Sequence, residues 1–330
     1  MPYAHIQEGS VPKPPRKLSL FPYVQISGLL VLTLGTAPLY GQSSLQADVR
    51  RKFENELSKI NEDFEGVFGA QFVDLTTGEK ISLNADYLIP TASAIKVTVL
   101  IELFRQADAK PGLLSEQRPF TPAAAGGGGM ARLLSPASSV SLEDIAKLMI
   151  NLSENNATNI LIDELGMQNV NGLIAALGLT KMKLQRKMLE TDKQARGEDN
   201  ISSPADAATL MTKIARCDLP ISKASCDRVR QILEIPQPDH PGKNPIPTNI
   251  PIAFKWGGNE GVSTAWAIVD LPGRPYVFAI MTSFGTDNAT AVRAASAAGF
   301  GYFSLLARAN PYGGRTSGGA AGARARREGQ

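Results

Sequence analysis

Strand-like patterning sits at the two ends of this chain and helical patterning fills the middle. That segregation limits the fold more than any other feature. Residues 66–74, Gly-Val-Phe-Gly-Ala-Gln-Phe-Val-Asp, read as a strand, and residues 81–84 pair back across the turn Thr76-Thr-Gly-Glu79. Strand signals then vanish until residues 252–256, 263–270 and 276–282. These form a meander whose last turn is Leu271-Pro-Gly-Arg-Pro275. Between the two groups the spacing predicts a strongly apolar helix from Ala92 onward. Further helices are expected at 141–150, 156–165, 170–176, 204–217 and 224–233. Ser141-Leu-Glu-Asp144 has a capping-box pattern, and residues 190–203 read as polar and irregular. A helix at 45–64, with Leu45, Val49, Phe53, Leu57 and Ile60 at helical spacing, opens the chain, and one at 288–309 closes it. The fold class that satisfies this order is α/β, of the α+β kind: an antiparallel sheet flanked by helices, with an inserted all-helical lobe.

Domain boundaries follow. Residues 1–41 read as a signal peptide and residues 42–312 as the main domain, built of an α/β lobe (45–90 and 206–310) and a helical lobe (91–205). Residues 313–330, rich in Gly, Ala and Arg, read as a disordered tail. The signal reading rests on order. Lys13, Arg16 and Lys17 come first, then the apolar Gly28-Leu-Leu-Val-Leu-Thr-Leu34, then small and turn residues through Gly41. An uncleaved N-terminal anchor is the other reading of the same segment. Export places the protein in the periplasm or outside the cell, with no stable membrane association after cleavage. It also puts the only two cysteines, Cys217 and Cys226, in an oxidising compartment, where a disulfide and two free thiols both remain open.

Composition excludes several functions. Thirty-four basic and 31 acidic residues leave a formal charge of +3, with both signs mixed along the chain, so there is no nucleic-acid footprint. No Cys/His cluster has metal spacing. The loop Ala123-Ala-Ala-Gly-Gly-Gly-Gly129 lacks the Lys-Ser/Thr ending of a phosphate cradle.

The chemistry narrows by elimination of bases. Only His5 and His240 exist. One precedes the export segment and the other lies in the Pro-rich run Pro236-Gln-Pro-Asp-His-Pro241, so a serine–histidine–aspartate triad is hard to build. Lysine is the remaining common base for a serine, provided burial or a neighbouring cation keeps it neutral. Ser93-Ala-Ile-Lys96 supplies the pair. If Ser93 starts a helix, Lys96 lies one turn on along the same face, and the helix N-terminus offers donors to a developing oxyanion. By itself the motif is weak. Ser10-Val-Pro-Lys13 also matches it, and a capping serine is the plain alternative for Ser93.

Company strengthens it. Ser93-Ala-Ile-Lys96, then Ser153-Glu-Asn155, then Lys255-Trp-Gly257 stand in the order of Ser-x-x-Lys, Ser-Asp-Asn and Lys-Thr-Gly. In this the chain resembles the class A β-lactamases and penicillin-binding proteins. The decoys Ser82-Leu-Asn84 and Lys110-Pro-Gly112 lack the order and context, and the run from Leu148 to Asn159 adds to the likeness. The resemblance spans roughly residues 45–309 and implies a β-lactamase/transpeptidase-like fold and a serine hydrolase. In that enzyme Ser93 attacks a β-lactam or related amide or ester, and Lys96 accepts its proton. Ser153 passes a proton to the leaving nitrogen, and Asn155 orients Lys96 or the substrate. Lys255 draws in the substrate carboxylate, and Gly257 and Gly258 line the site. The oxyanion hole comes from the N–H groups of Ser93 and Gly258. Asn159 resembles a structural asparagine of the family. The resemblance implies no cofactor and no metal, since side chains and water suffice.

Three departures stand out. Glu154 replaces an Asp. Trp256 replaces a small hydroxyl residue, which removes a donor and predicts bulk at the pocket edge. The deacylating glutamate lacks its usual Glu-x-x-Leu-Asn context, so Glu190 is the best positional candidate for that role and Asp192 the next. Without such a base the acyl-enzyme persists, as in a penicillin-binding D,D-peptidase. A non-catalytic binding module of the same fold is the remaining alternative.

Overall fold

A computed structural model describes residues 44–120, 133, 138–310 and 312–315. The signal-like segment, the Gly-rich loop and the far tail lie outside the described residues. Helix α1 (Ser44–Asp63) leads into strands β1 (Val67–Asp74) and β2 (Lys80–Leu83) and the short β3 (Ile89–Pro90). A 3₁₀ turn (Ala92–Ile95) runs into helix α2 (Lys96–Ala109). A small hairpin of β4 (Gln117–Pro119) and β5 (Ser139–Ser141) precedes α3 (Leu142–Asn151), α4 (Asn155–Leu165) and α5 (Met167–Ala176). Then come α6 (Thr191–Ala195), β6 (Ile201–Ser202), α7 (Pro204–Arg216) and α8 (Lys223–Glu234). The meander of β7 (Ile252–Asn259), β8 (Val262–Val269) and β9 (Tyr276–Ser283) and the closing α9 (Asn288–Ala307) complete the chain.

The main sheet has the order β2-β1-β9-β8-β7 and is antiparallel throughout. Early and late strands meet at its centre, where Val67 faces Ser283 and Asp74 faces Tyr276. Alternation along each strand sorts side chains to two faces. Phe68, Phe72, Phe278 and Ile280 join Phe53 and Leu57 of α1 and Val292 and Phe303 of α9 in one cluster. Val277, Ala279, Met281, Trp266 and Ile268 join the opposite cluster with α2 and the helical section. Both faces are covered, so the strands read as nearly continuous apolar runs.

Helix α2 runs through the second cluster. Every residue from Lys96 to Phe104 is buried. A helix apolar on all sides belongs in an interior, and each large side chain there contributes roughly 1.5–3 kcal/mol on burial. At its start the structure differs from a simple helix N-terminus, because Ser93 lies in the 3₁₀ turn and the α-helix begins only at Lys96. Residues 190–203 also carry more structure than their polarity predicts, namely α6 and β6, the latter paired with β3. The capping reading at Ser141 holds: its Oγ accepts from the Asp144 N–H at 3.1 Å. Cys217 caps α7 in a left-handed conformation and forms a disulfide with Cys226 of α8, with Cα atoms 5.8 Å apart. Among the described residues no helix is long and apolar enough to cross a membrane.

Candidate active site

Three segments far apart in sequence meet beside the edge strand β7. The first is the 3₁₀ turn. Side chains at i and i+3 eclipse in a 3₁₀ helix, so Ser93 and Lys96 point to one side, and the Lys96 N–H bonds back to the Ser93 carbonyl. Ala92 holds a left-handed φ of 44° just before the serine. A non-glycine residue there costs of order 1 kcal/mol and persists where its surroundings fix it. Those surroundings are visible. The Thr91 N–H donates to Asn200 O at 2.8 Å, and the Thr264 hydroxyl of β8 donates to Thr91 O at 3.1 Å.

The second segment is the loop between α3 and α4. Lys96 Nζ donates to Ser153 O at 2.7 Å, Ser153 Oγ at 3.3 Å and Asn155 Oδ1 at 2.8 Å. Ser153 is itself left-handed, with φ 53°, which turns both its oxygens toward the amine. Glu154 faces away and caps α4. Its carboxylate accepts from the Ala157 N–H at 2.5 Å and from Asn156 Nδ2 at 2.9 Å. The longer side chain at this position therefore serves the helix while leaving the flanking Ser153 and Asn155 on Lys96.

The third segment is β7. Gly257 lies so close to the turn that a Cβ would come 2.4 Å from Thr91 O, 2.6 Å from Ser93 N and 2.8 Å from Ala94 N. Only glycine permits that approach. Gly258 follows it, paired with Ser263 of β8. Lys255 is fully buried, bonds Trp256 O at 2.9 Å, and lies within electrostatic reach of Lys96. Trp256 packs into the α1/α9 cluster against His240, 5.4 Å between rings, which corrects the expectation of bulk at the pocket edge.

Burial sets the protonation of the two lysines. It pushes Lys96 down to about 7 against the pull of Glu154, and it holds Lys255 well below its ordinary value, helped by the like charge of Lys96. Near pH 7 the charged form of Lys96 donates all three of its bonds to Ser153 and Asn155, while the neutral form keeps two hydrogens and has a lone pair that can accept a proton. The arrangement can thus deprotonate a hydroxyl and stabilise negative charge, two requirements of acyl transfer.

Glu190 is elsewhere engaged. Its carboxylate accepts from the Lys187 N–H at 2.9 Å and pairs with Lys193 at 3.0 Å, at the start of α6. Burial pushes that carboxyl up, but those two hydrogen bonds together with the positive charges of Lys193 and Lys187 outweigh it and keep it below the usual range. Asn159 grips Met188 instead, with Nδ2 on the Met188 carbonyl at 3.0 Å and Oδ1 on its N–H at 2.8 Å. The neck of this loop is closed by the Arg186–Asp199 ion pair, 2.7 Å and largely buried. Asn159 is thus a structural residue, as the resemblance implies. Thr91, Thr264, Asn200 and the Arg186–Asp199 pair were not singled out from sequence. Their only signal there is polarity inside or beside apolar runs.

A serine–lysine turn set under a helix-flanked antiparallel sheet, with a glycine strand edge against it, defines a β-lactamase-like fold. The chain belongs to the Beta-lactamase enzyme family, whose model matches residues 52–301. It is 23% identical to β-lactamase L2 of Stenotrophomonas maltophilia over 57% of this chain and 65% of that protein. Among solved structures it is similar to a β-lactamase from Sphaerobacter thermophilus, at 26% identity and TM-score 0.68, covering 77% of this chain and 97% of that one. A mutant of PBP-A, solved as an acyl-enzyme complex with penicillin G, aligns at 26% identity and TM-score 0.68 over 78% of this chain and 97% of that one. A class A β-lactamase from Mycobacterium abscessus, at 20% identity and TM-score 0.71 over 76% and 99% of the two chains, shares the fold.

Proposed function

We propose that this chain is a serine hydrolase that opens β-lactams, or related amides and esters, through an acyl-enzyme on Ser93. The observation that carries the reading is Lys96: a buried amine, shifted to about 7, held on Ser153 and Asn155 at the next turn from Ser93. In the reaction Lys96 takes the Ser93 proton, Oγ bonds to the carbonyl carbon, and the C–N bond breaks. Ser153 gives its proton to the leaving nitrogen and regains one from Lys96. Lys255 attracts an acidic group of the substrate, and the N–H groups of Ser93 and Gly258 receive the oxyanion. Each such donor is worth roughly a hundredfold in rate.

Release of the acyl group is the point at which two readings part. A β-lactamase needs a base that activates water. Glu190 is ionised and tied to Lys193 and the Lys187 N–H, while Asn159 holds the apolar Met188. This favours slow release of the kind seen in penicillin-binding D,D-peptidases over rapid antibiotic hydrolysis. The PBP-A mutant's acyl-enzyme with penicillin G is consistent with adduct formation in a similar protein. The Cys217–Cys226 disulfide supports an exported enzyme.

Intact-protein mass spectrometry after mixing with a penicillin tests this. A long-lived adduct on Ser93 is the expected result. A transient adduct with product release makes the chain a β-lactamase. No adduct with any penicillin, ester or acyl-peptide overturns the acylation reading.

A further inference from the structure

His240 has no place in the acylation scheme, yet it is buried, with 8% exposure, and its loop is anchored on two sides. Gln237 Nε2 donates to Phe254 O on β7, and the Ser296 hydroxyl of α9 donates to Gly242 O at 2.7 Å. Gly242 sits so tightly on β8 that a Cβ would lie 2.5 Å from that of Ala265. The Gly242 N–H in turn donates to His240 Nδ1 at 3.1 Å, which assigns the ring proton to Nε2. The ring so fixed lies nearly parallel to Trp256, 5.4 Å away and tilted 21°.

Trp256 connects this histidine to the site. Lys255 Nζ lies 5.0 Å from the centre of the same indole and donates to the Trp256 carbonyl. The indole Nε1–H meets no protein acceptor among the described residues, so packing and ring contacts set the plane of the ring. A buried ammonium is stabilised by an indole face only when the two are held in geometry. Here no carboxylate is bonded to Lys255 among the described residues, so the indole face is what holds the amine in place; burial and the charge of Lys96 oppose its protonation, and an arriving acidic group of the substrate favours the charged form.

We infer that His240 is a positioning residue for Lys255: clamping Trp256 from the outer side of β7, it fixes the cation that receives the acidic group of the substrate. The inference rests on the proposed acylation at Ser93 and deepens it, because it makes selectivity for anionic substrates depend on a residue behind the strand. Removing the ring loosens Lys255 and weakens binding of acids. A phenyl ring, which stacks without titrating, keeps the clamp.

The test uses the full chain with His240→Ala and His240→Phe. Ser93 acylation is followed with a carboxylate-bearing penicillin and with a neutral phenyl ester, separating the apparent dissociation constant from the limiting acylation rate. His240→Ala should raise the dissociation constant for the penicillin by about fivefold, on the scale of a lost ring stack and loosened cation–π contact. The limiting rate and the neutral ester should change by less than about twofold, and His240→Phe should restore binding of the penicillin. Trp256 emission, read against the fully buried Trp266, should shift in His240→Ala and not in His240→Phe. Unchanged penicillin binding in His240→Ala, equal losses for both substrates, or failure of His240→Phe to rescue overturns the inference. A wild type that takes no adduct sinks the acylation reading instead. In that case emission alone decides: a shift in His240→Ala upholds the clamp and no shift removes it.

Discussion

The turn at Ser93–Lys96 and the loop from Arg186 to Asp199 are both tied down, but in opposite ways. The first is fixed by burial: Lys96 is fully buried and spends its donors on Ser153 and Asn155. The second is fixed by charge pairing, with Arg186 on Asp199 and Glu190 on Lys193. Burial shifts an amine toward neutrality and so makes a base. Pairing a carboxylate with a cation keeps it charged and makes it a weaker one. In the proposed reaction, the half that forms the acyl-enzyme therefore has a candidate base, whereas the half that hydrolyses it has a committed carboxylate.

That contrast can be broken at either end. Ser93→Ala should abolish the adduct, lowering acylation by about ten-thousandfold or more, as loss of a nucleophile does. Any residual adduct located elsewhere by peptide mapping would place the nucleophile wrongly. Lys96→Ala should lower acylation by about a hundred- to ten-thousandfold, the range of a general base. In the wild type the acylation rate should rise about tenfold per pH unit up to about 7 and level off above it, since only the neutral amine accepts a proton. A flat profile across that range would remove Lys96 as base. The same group sets a stability trend. Unfolding returns it toward its ordinary 10.5, so the unfolded chain binds more protons between about 7 and 10.5, and its contribution to stability rises with pH across that window.

Smaller effects sharpen the comparison. Gly257→Ala forces a methyl against Thr91 O and Ser93 N, and should slow acylation by about ten- to a hundredfold through the displaced oxyanion donor. Stopped-flow acylation with an unchanged melting temperature would confirm a local cause. Cys217→Ser should lower unfolding free energy by about 2–3 kcal/mol, the scale for so short a closed loop, with acylation unchanged. Denaturant titration measures it. Glu190→Gln should leave the lifetime of the adduct unaltered. A lifetime longer by about tenfold or more would restore Glu190 as the deacylation base and erase the contrast.

Much of the fold was legible because period and polarity changed together. The meander from β7 to β9 and the flanking helices α1 and α9 lie close to where spacing put them, since alternating or helical apolar runs have few other solutions. The 190–203 segment was harder. Its helix α6 is too short and polar to show a period, and the pairing of β6 with β3 is decided by residues distant in sequence. In the candidate site, the grouping of Lys96 with Ser153 and Asn155 and the close approach of Gly257 to Ser93 follow the order and context of the three motifs. The role of Trp256 could not be read from them, because strand alternation gives a side chain a face without saying what waits there. His240 and Phe254 wait there, and they turn a residue expected at the mouth into one packed behind the strand.

The sequence alone determined the residue types and their order: a lysine in place of histidine as the candidate base, a serine one turn before it, and a glycine two residues after the late-strand lysine. Tertiary structure decided which of these groups lose water and which keep it. The neutrality that lets Lys96 act as a base comes from burial of the Lys96–Phe104 stretch of helix α2, and the commitment of Glu190 from a cation three residues on in a half-exposed loop. Solvation depends on neighbours contributed by the whole chain, so local residue patterns could not fix it.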